Sequence, residues 1–190
     1  MSDGSIPGDQ SSASRGAYGP DLGQGTGVLA AIGLGSNVGD RRQHILHALE
    51  AIATIPETRM VARSSLIETE AVTLPGATSQ SAYLNAAALI RTSLPARELL
   101  AELLRIERER GRDREAEGRW GPRTLDLDLL VYGPQVVREA DLEIPHPRMT
   151  ERRFVLEPLA QIAPDLLVPV GAHAVTVAGL LARLNSAASG

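Results

Sequence analysis

Residues 125–132 read Leu125-Asp126-Leu127-Asp128-Leu129-Leu130-Val131-Tyr132. Apolar and acidic residues alternate here with the period of a strand. Asp126 and Asp128 therefore share one face, and Leu125, Leu127 and Leu129 turn to the other, towards a core. Two carboxylates about 7 Å apart on a strand repel each other unless a cation lies between them. On the far side Gly133-Pro134 turns the chain, and Val136-Val137 can pair back as an edge.

Working outward, Val28 to Leu34 is an apolar run predicted as a buried strand that ends in the turn Gly33-Leu34-Gly35-Ser36-Asn37. Asp40 caps a helix whose apolar face is Ile45, Ala48, Leu49 and Ile52. Arg59 to Glu68 reads as a second strand, Thr69 to Ala82 as a long loop, and Tyr83 to Thr92 as a third strand. Pro95 opens a helix lined by Leu99, Leu103 and Ile106, with Gly111 at its end. Arg112 to Arg123 is a second, charge-rich loop. Glu143 to Arg148, with two prolines, is expected to be extended. Phe154, Leu156 and Leu159 mark a short helix, and Val175 to Leu184 a terminal one. The order strand–helix–strand, strand–helix–strand predicts an α+β domain: a ferredoxin-like antiparallel sheet with helices packed on one face. The single domain spans 28–190, after a tail at 1–27 rich in Gly, Ser, Asp and Pro that is expected to be disordered.

Composition excludes several chemistries. Cysteine is absent, so disulfides, thiolate metal sites and cysteine nucleophiles are excluded. All 19 basic residues counted as Lys+Arg are arginine. A P-loop lysine and a Schiff-base lysine are therefore impossible, and any phosphate must be met by arginine and metal. The net charge of −4 and the scarcity of aromatic residues argue against a nucleic-acid surface. No apolar run has the roughly 18–20 residues of a membrane span, and no charged start leads into an apolar leader. A cytoplasmic protein is expected.

Next to the acidic strand lies Arg119-Trp120-Gly121-Pro122-Arg123-Thr124. Gly-Pro sets a turn that can aim Arg123 at the carboxylates, and arginine is a forked phosphate partner. The same charge run also reads as a solvated helix end. Gly33-Leu34-Gly35 is not a dinucleotide fingerprint, because the third glycine would fall at Val38. His44 and His47, three apart on a helix, could hold a metal but read more readily as surface histidines. His146, between two prolines, could donate to phosphate or be structural.

Taken together, Gly35-Ser36-Asn37, Tyr83-Leu84-Asn85-Ala86, Arg119 to Asp128, and Pro145-His146-Pro147-Arg148-Met149 with Arg152 and Phe154 resemble the 6-hydroxymethyl-7,8-dihydropterin pyrophosphokinase family, in order from about Val28 onward. The resemblance implies an ATP-dependent diphosphotransferase of folate biosynthesis. It also implies two magnesium ions held by Asp126 and Asp128, with catalytic support from Arg112 and Arg123. Glu107, Arg114, Trp120, His146 and Arg152 would meet ATP. Thr69, Val72, Tyr83, Asn85 and Phe154 would meet the pterin. Trp120 and Arg114 match a loop that closes over the reactants and excludes water. The partners are then two small molecules, ATP and a reduced pterin, with a monomer expected. Two rivals are a ferredoxin-like RNA-binding module, which would need aromatics on its sheet and a basic surface, and an inactive nucleotide-binding homologue.

Overall fold

Val28–Ser36 forms β1, the strand on which the molecule is organised. In the computed structural model, which describes residues 26–70, 81–111 and 123–188, β1 is flanked on both sides by antiparallel partners. One is β4 (Tyr83–Thr92) and the other is β5 (Asp126–Tyr132). β2 (Thr58–Arg63) pairs with the outer edge of β4, giving the order β2-β4-β1-β5. β3 (Ile67–Thr69) continues along that same edge of β4. With α1 (Arg41–Ala53) after β1 and α2 (Ala96–Glu109) before β5, this is the expected ferredoxin-like plan.

Alternation along β1 divides the core in two. Ala30, Ile32 and Leu34 point to one side and pack with Ile45, Leu49 and Ile52 of α1 and Leu99, Leu103 and Ile106 of α2. Leu29 and Ala31 point to the other. Each fully buried Leu or Ile contributes roughly 1.5–3 kcal/mol, so both layers matter to stability. The Asp40 side chain accepts from Gln43 N at 3.0 Å and caps α1 as expected.

Helices on one face only was the wrong expectation. Leu29, Ala31, Ala87 and Leu89 leave the second face as apolar as the first. It is covered by α3 (Arg153–Ile162) through Val155, Leu156 and Leu159, and by α4 (Val177–Ala188) through Val177 and Leu180. The expected single strand over Arg59–Glu68 is also broken, into β2 and β3. Ser64 lies at the break, where its hydroxyl accepts the Ala87 N–H at 2.9 Å in place of a backbone carbonyl. Val137 pairs back as the sequence suggests, but with Ile144, in a separate hairpin of β6 (Val137–Glu139) and β7 (Leu142–Ile144). Glu143 to Arg148 is only partly extended: β7 ends at Ile144, and Pro147 and Arg148 form a turn that leads into the 3-10 helix Met149–Glu151. A last hairpin, β8 (Leu167–Val170) and β9 (His173–Thr176), delays the start of α4 from the expected Val175 to Val177. Among the described residues no helix is long and apolar enough to cross a membrane. The expected tail lies almost wholly outside the described residues, with only Thr26 and Gly27 inside them.

Candidate active site

α3 and α4 cover only part of the second face. The rest is a floor built from three adjacent strands. Gly35 pairs with Asn85 on one side and with Asp126 on the other. Gly33 likewise lies between Ala87 and Asp128. Cross-strand partners share a face, so the two carboxylates and the Asn85 amide rise from one surface, separated by a track without side chains. A Cβ added at Gly35 would lie 3.3 Å from Asn85 Oδ1 and 3.9 Å from Asp126 Cβ. The expectation that these glycines serve a turn is corrected: both lie within β1, where they leave the floor open.

A bulge in β5 shapes one end of the floor. Ala31 pairs with Val131 but Ile32 pairs with Leu129, so Leu130 is the extra residue. Bulges re-aim side chains and recur beside active sites. Here Leu130 and Val131 both enter the second core. The Leu130 carbonyl accepts the His146 N–H at 2.9 Å, fixing the Pro145–Arg148 segment against β5.

Two guanidinium groups and an imidazole converge on the carboxylates. Arg123 Nη1 hydrogen-bonds Asp126 Oδ2. His146 Nε2 lies 3.9 Å and Arg152 Nη1 4.0 Å from Asp128 Oδ2. Arg148 N donates to His146 Nδ1 at 3.3 Å, which leaves Nε2 as the proton-bearing nitrogen facing Asp128. Burial and the neighbouring Asp126 charge push the Asp128 carboxyl above its ordinary range, against the opposing pull of His146, Arg152 and Arg123. Burial lowers the His146 pKa, which Asp128 partly offsets. Burial also opposes the charge on Arg123, but its attraction to Asp126 wins and holds the guanidinium pKa above its usual value. The basic groups therefore do not fully compensate the cost of keeping Asp128 ionised beside Asp126.

The approach to β5 is pinned from β1. Asn37 N donates to the Arg123 carbonyl at 3.0 Å and Arg123 N donates back to Asn37 Oδ1 at 2.7 Å. Ser36 Oγ donates to the Thr124 carbonyl at 2.6 Å. No local pattern around Asn37 or Ser36 announces this task. Their signal was weak, because the partners are 86 and 88 residues away.

Glu107 was expected beside nucleotide. It is buried in the last turn of α2, where its Oε1 accepts the Leu127 N–H at 2.8 Å, between the two aspartates. That contact braces β5. On the opposite rim, Asn85 Nδ2 donates to Thr69 Oγ1 at 2.8 Å, and Tyr83 pairs with Thr69 across β3 and β4. Phe154 packs on the second core with the Arg152 guanidinium 5.7 Å above its ring. Thr69, Tyr83, Asn85, Arg123, Asp126, Asp128, His146, Arg152 and Phe154 thus fall on one side of the sheet and around its rim. Val72, Arg112, Arg114 and Trp120 lie outside the described residues. His47 Nδ1 meets Arg110, and His44 lies apart from the acidic strand on α1.

A ferredoxin-like sheet carrying paired carboxylates, ringed by arginines and a histidine and bordered by a buried amide, defines a class: enzymes that transfer phosphoryl groups. The comparisons narrow it. Residues 31–164 match the family described as 7,8-dihydro-6-hydroxymethylpterin-pyrophosphokinase (HPPK), and the chain belongs to that family. The 2-amino-4-hydroxy-6-hydroxymethyldihydropteridine pyrophosphokinase of Pseudomonas aeruginosa is 44% identical over 142 residues, covering 75% of this chain and 85% of its own. The protein of that name from Bacillus subtilis is 44% identical over 134 residues, covering 70% of this chain and 77% of its own. The crystal structure of Plasmodium falciparum HPPK-DHPS with SDX-DHP superposes with a TM-score of 0.59 at 14% identity, over 84% of this chain and 44% of that one. This last likeness bears on the fold alone.

Proposed function

We propose that the chain transfers pyrophosphate from ATP to 6-hydroxymethyl-7,8-dihydropterin, giving AMP and the pterin diphosphate in folate biosynthesis. The hydroxyl oxygen of the pterin forms a bond to the β-phosphorus of ATP. The bond from that phosphorus to the oxygen bridging to the α-phosphate breaks, AMP departs with its electrons, and the hydroxyl proton is released. The observation that carries this reading is the pair Asp126 and Asp128 facing the same open floor as Asn85.

Each group has a physical task. Asn85 offers an acceptor and donors on one amide, which suits the mixed edge of a pterin. Tyr83 and Phe154 wall the ring, with Thr69 and Val72 beside it. Arg123, Arg112 and His146 meet phosphate oxygens, and Arg152 stands between pterin and nucleotide. Arg114 and Trp120 close over ATP. Glu107 acts here by holding Leu127, and so the carboxylates on either side of it. Fixed positive groups aimed at the phosphates and close placement of the reactants supply most of the rate in such transfers.

The donor set fits magnesium. Among the described residues no three His, Cys, Asp or Glu gather. Magnesium is commonly held by one or two carboxylates, with water and substrate phosphates completing the shell. The cost of ionising Asp128 beside Asp126 favours a cation too. Asp126 and Asp128 would hold two ions, which when bound neutralise charge on the triphosphate. A cytoplasmic monomer, and a domain spanning 28–190 after a tail, complete the proposal.

The test is direct. Incubated with ATP, magnesium and the reduced pterin alcohol, the protein releases AMP; release of ADP would mean that a different bond is cut. Calorimetry is expected to show ATP binding that depends on divalent cation.

A further inference from the structure

We infer that Arg41 is a positioning residue for pterin recognition, tying together the two strands that carry the pterin-facing side chains. The inference rests on the reading of Thr69, Tyr83 and Asn85 given above.

Arg41 and Arg42 open α1, and beyond the capping carboxylate of Asp40 no acidic residue lies in that first turn. Cations are disfavoured at a helix N-terminus, where the unpaired N–H groups carry partial positive charge. A residue that breaks a local rule calls for a compensating contact elsewhere. Arg41 has one. Its Nη1 donates to the Ala82 carbonyl at 2.5 Å and to Glu68 Oε1 at 3.3 Å. The side chain is only 29% exposed, so its guanidinium is held in place rather than waving in solvent.

The two acceptors sit directly beside the pterin-facing residues. Glu68 immediately precedes Thr69 in β3, and Ala82 immediately precedes Tyr83, the first residue of β4. Thr69 pairs with Tyr83, and Thr69 Oγ1 receives the Asn85 amide at 2.8 Å. That bond sets the direction of the Asn85 side chain. β3 is three residues long and, among the described residues, pairs with β4 alone, so it has little of its own to hold it in register. A single guanidinium bridging both strand ends supplies what the short ladder lacks. Without it, Thr69 shifts, Asn85 loses its orienting partner, and the amide meets the pterin in more than one rotamer.

Steady-state kinetics of the full chain test this. Arg41→Ala is expected to raise KM for the reduced pterin about five- to tenfold, the size a lost hydrogen bond supports, with kcat and the KM for ATP within about twofold of wild type. Arg41→Lys keeps a charged donor group on a shorter, unforked side chain and is expected to raise the pterin KM no more than about two- to threefold. Asn85→Ala is the control for the pterin reading. If Asn85→Ala weakens pterin binding and Arg41→Ala does not, the inference on Arg41 alone is overturned. Equal rises in both KM values would also overturn it, because they mark general loosening. If Asn85→Ala leaves pterin binding intact, the pterin reading falls and takes this inference with it. Should Arg41→Ala not fold, Arg41→Met, which keeps the aliphatic stem but no donor, decides: a rise confined to the pterin KM supports the tie, and a wild-type KM overturns it.

Discussion

Gly35 lies directly opposite Asp126 in the pairing of β1 with β5, and opposite Asn85 in its pairing with β4. A glycine at that point keeps the carboxylate and the amide from being separated by a third side chain. Much of the behaviour expected of this protein follows from that gap.

Gly35→Ala is expected to fold normally, since a strand accepts alanine better than glycine. Its methyl would stand 3.3 Å from Asn85 Oδ1, tighter than ordinary contact. The amide must give way, and the expected result is at least a roughly tenfold loss in kcat/KM for the pterin, about what one displaced hydrogen bond supports, set against a melting temperature within a few degrees of wild type. Gly33→Ala meets only the Leu130 side chain, at 3.4 Å or more, which is ordinary van der Waals contact, and is expected to be far milder. Equal effects at the two positions would disprove the open-floor account.

Asp128→Asn separates activity from stability. Burial and Asp126 already work against the ionised carboxylate in the folded chain. Removing that charge in metal-free buffer is expected to leave the melting temperature unchanged or raise it by a few degrees, as often happens when a strained functional group is lost. Turnover should fall by about a hundredfold or more, the scale seen when a group stabilising transition-state charge is removed. Thermal melts beside an AMP-release assay check both halves.

Glu107 tests a brace within the core. Glu107→Ala leaves the buried Leu127 N–H without its acceptor, a cost of about 1–3 kcal/mol in denaturant unfolding. Glu107→Gln keeps a carbonyl oxygen at the same reach, so most of that stability is expected to return. If the two variants unfold alike, the bond to Leu127 is not what Glu107 contributes.

Asn37→Ala removes the side-chain half of the tie to Arg123 while leaving the backbone half intact. The expected outcome is a stability loss of about 1 kcal/mol with a several-fold drop in kcat, because Arg123 no longer approaches Asp126 from a fixed base. An unchanged kcat would show that Arg123 finds its place unaided.

Repeating patterns made part of this legible in advance. The alternation from Leu125 to Leu129 put two aspartates on one face, and the helical spacing of Ile45, Leu49 and Ile52 and of Leu99, Leu103 and Ile106 marked the layer behind the sheet. These signals are local: a strand or helix writes its buried face into its own sequence with period two or 3.6. The same locality explains the errors. Nothing near Phe154 or Val177 says which side of the sheet those helices will cover, and nothing near Ser64 announces that its hydroxyl will replace a ladder carbonyl.

By itself, then, the chain's order of residues determined that an acidic strand edge, an arginine supply and a polar amide would exist, and what chemistry they could serve. Only the folded structure decided their mutual placement. Strand pairing brought Gly35 between Asn85 and Asp126, a bulge at Leu130 anchored His146, and contacts spanning from 20 to 88 residues fixed Glu107, Asn37 and Ser36. The reason is physical: a side chain's type and period follow from its own few neighbours, but a cross-strand partner is selected by the packing of the whole sheet.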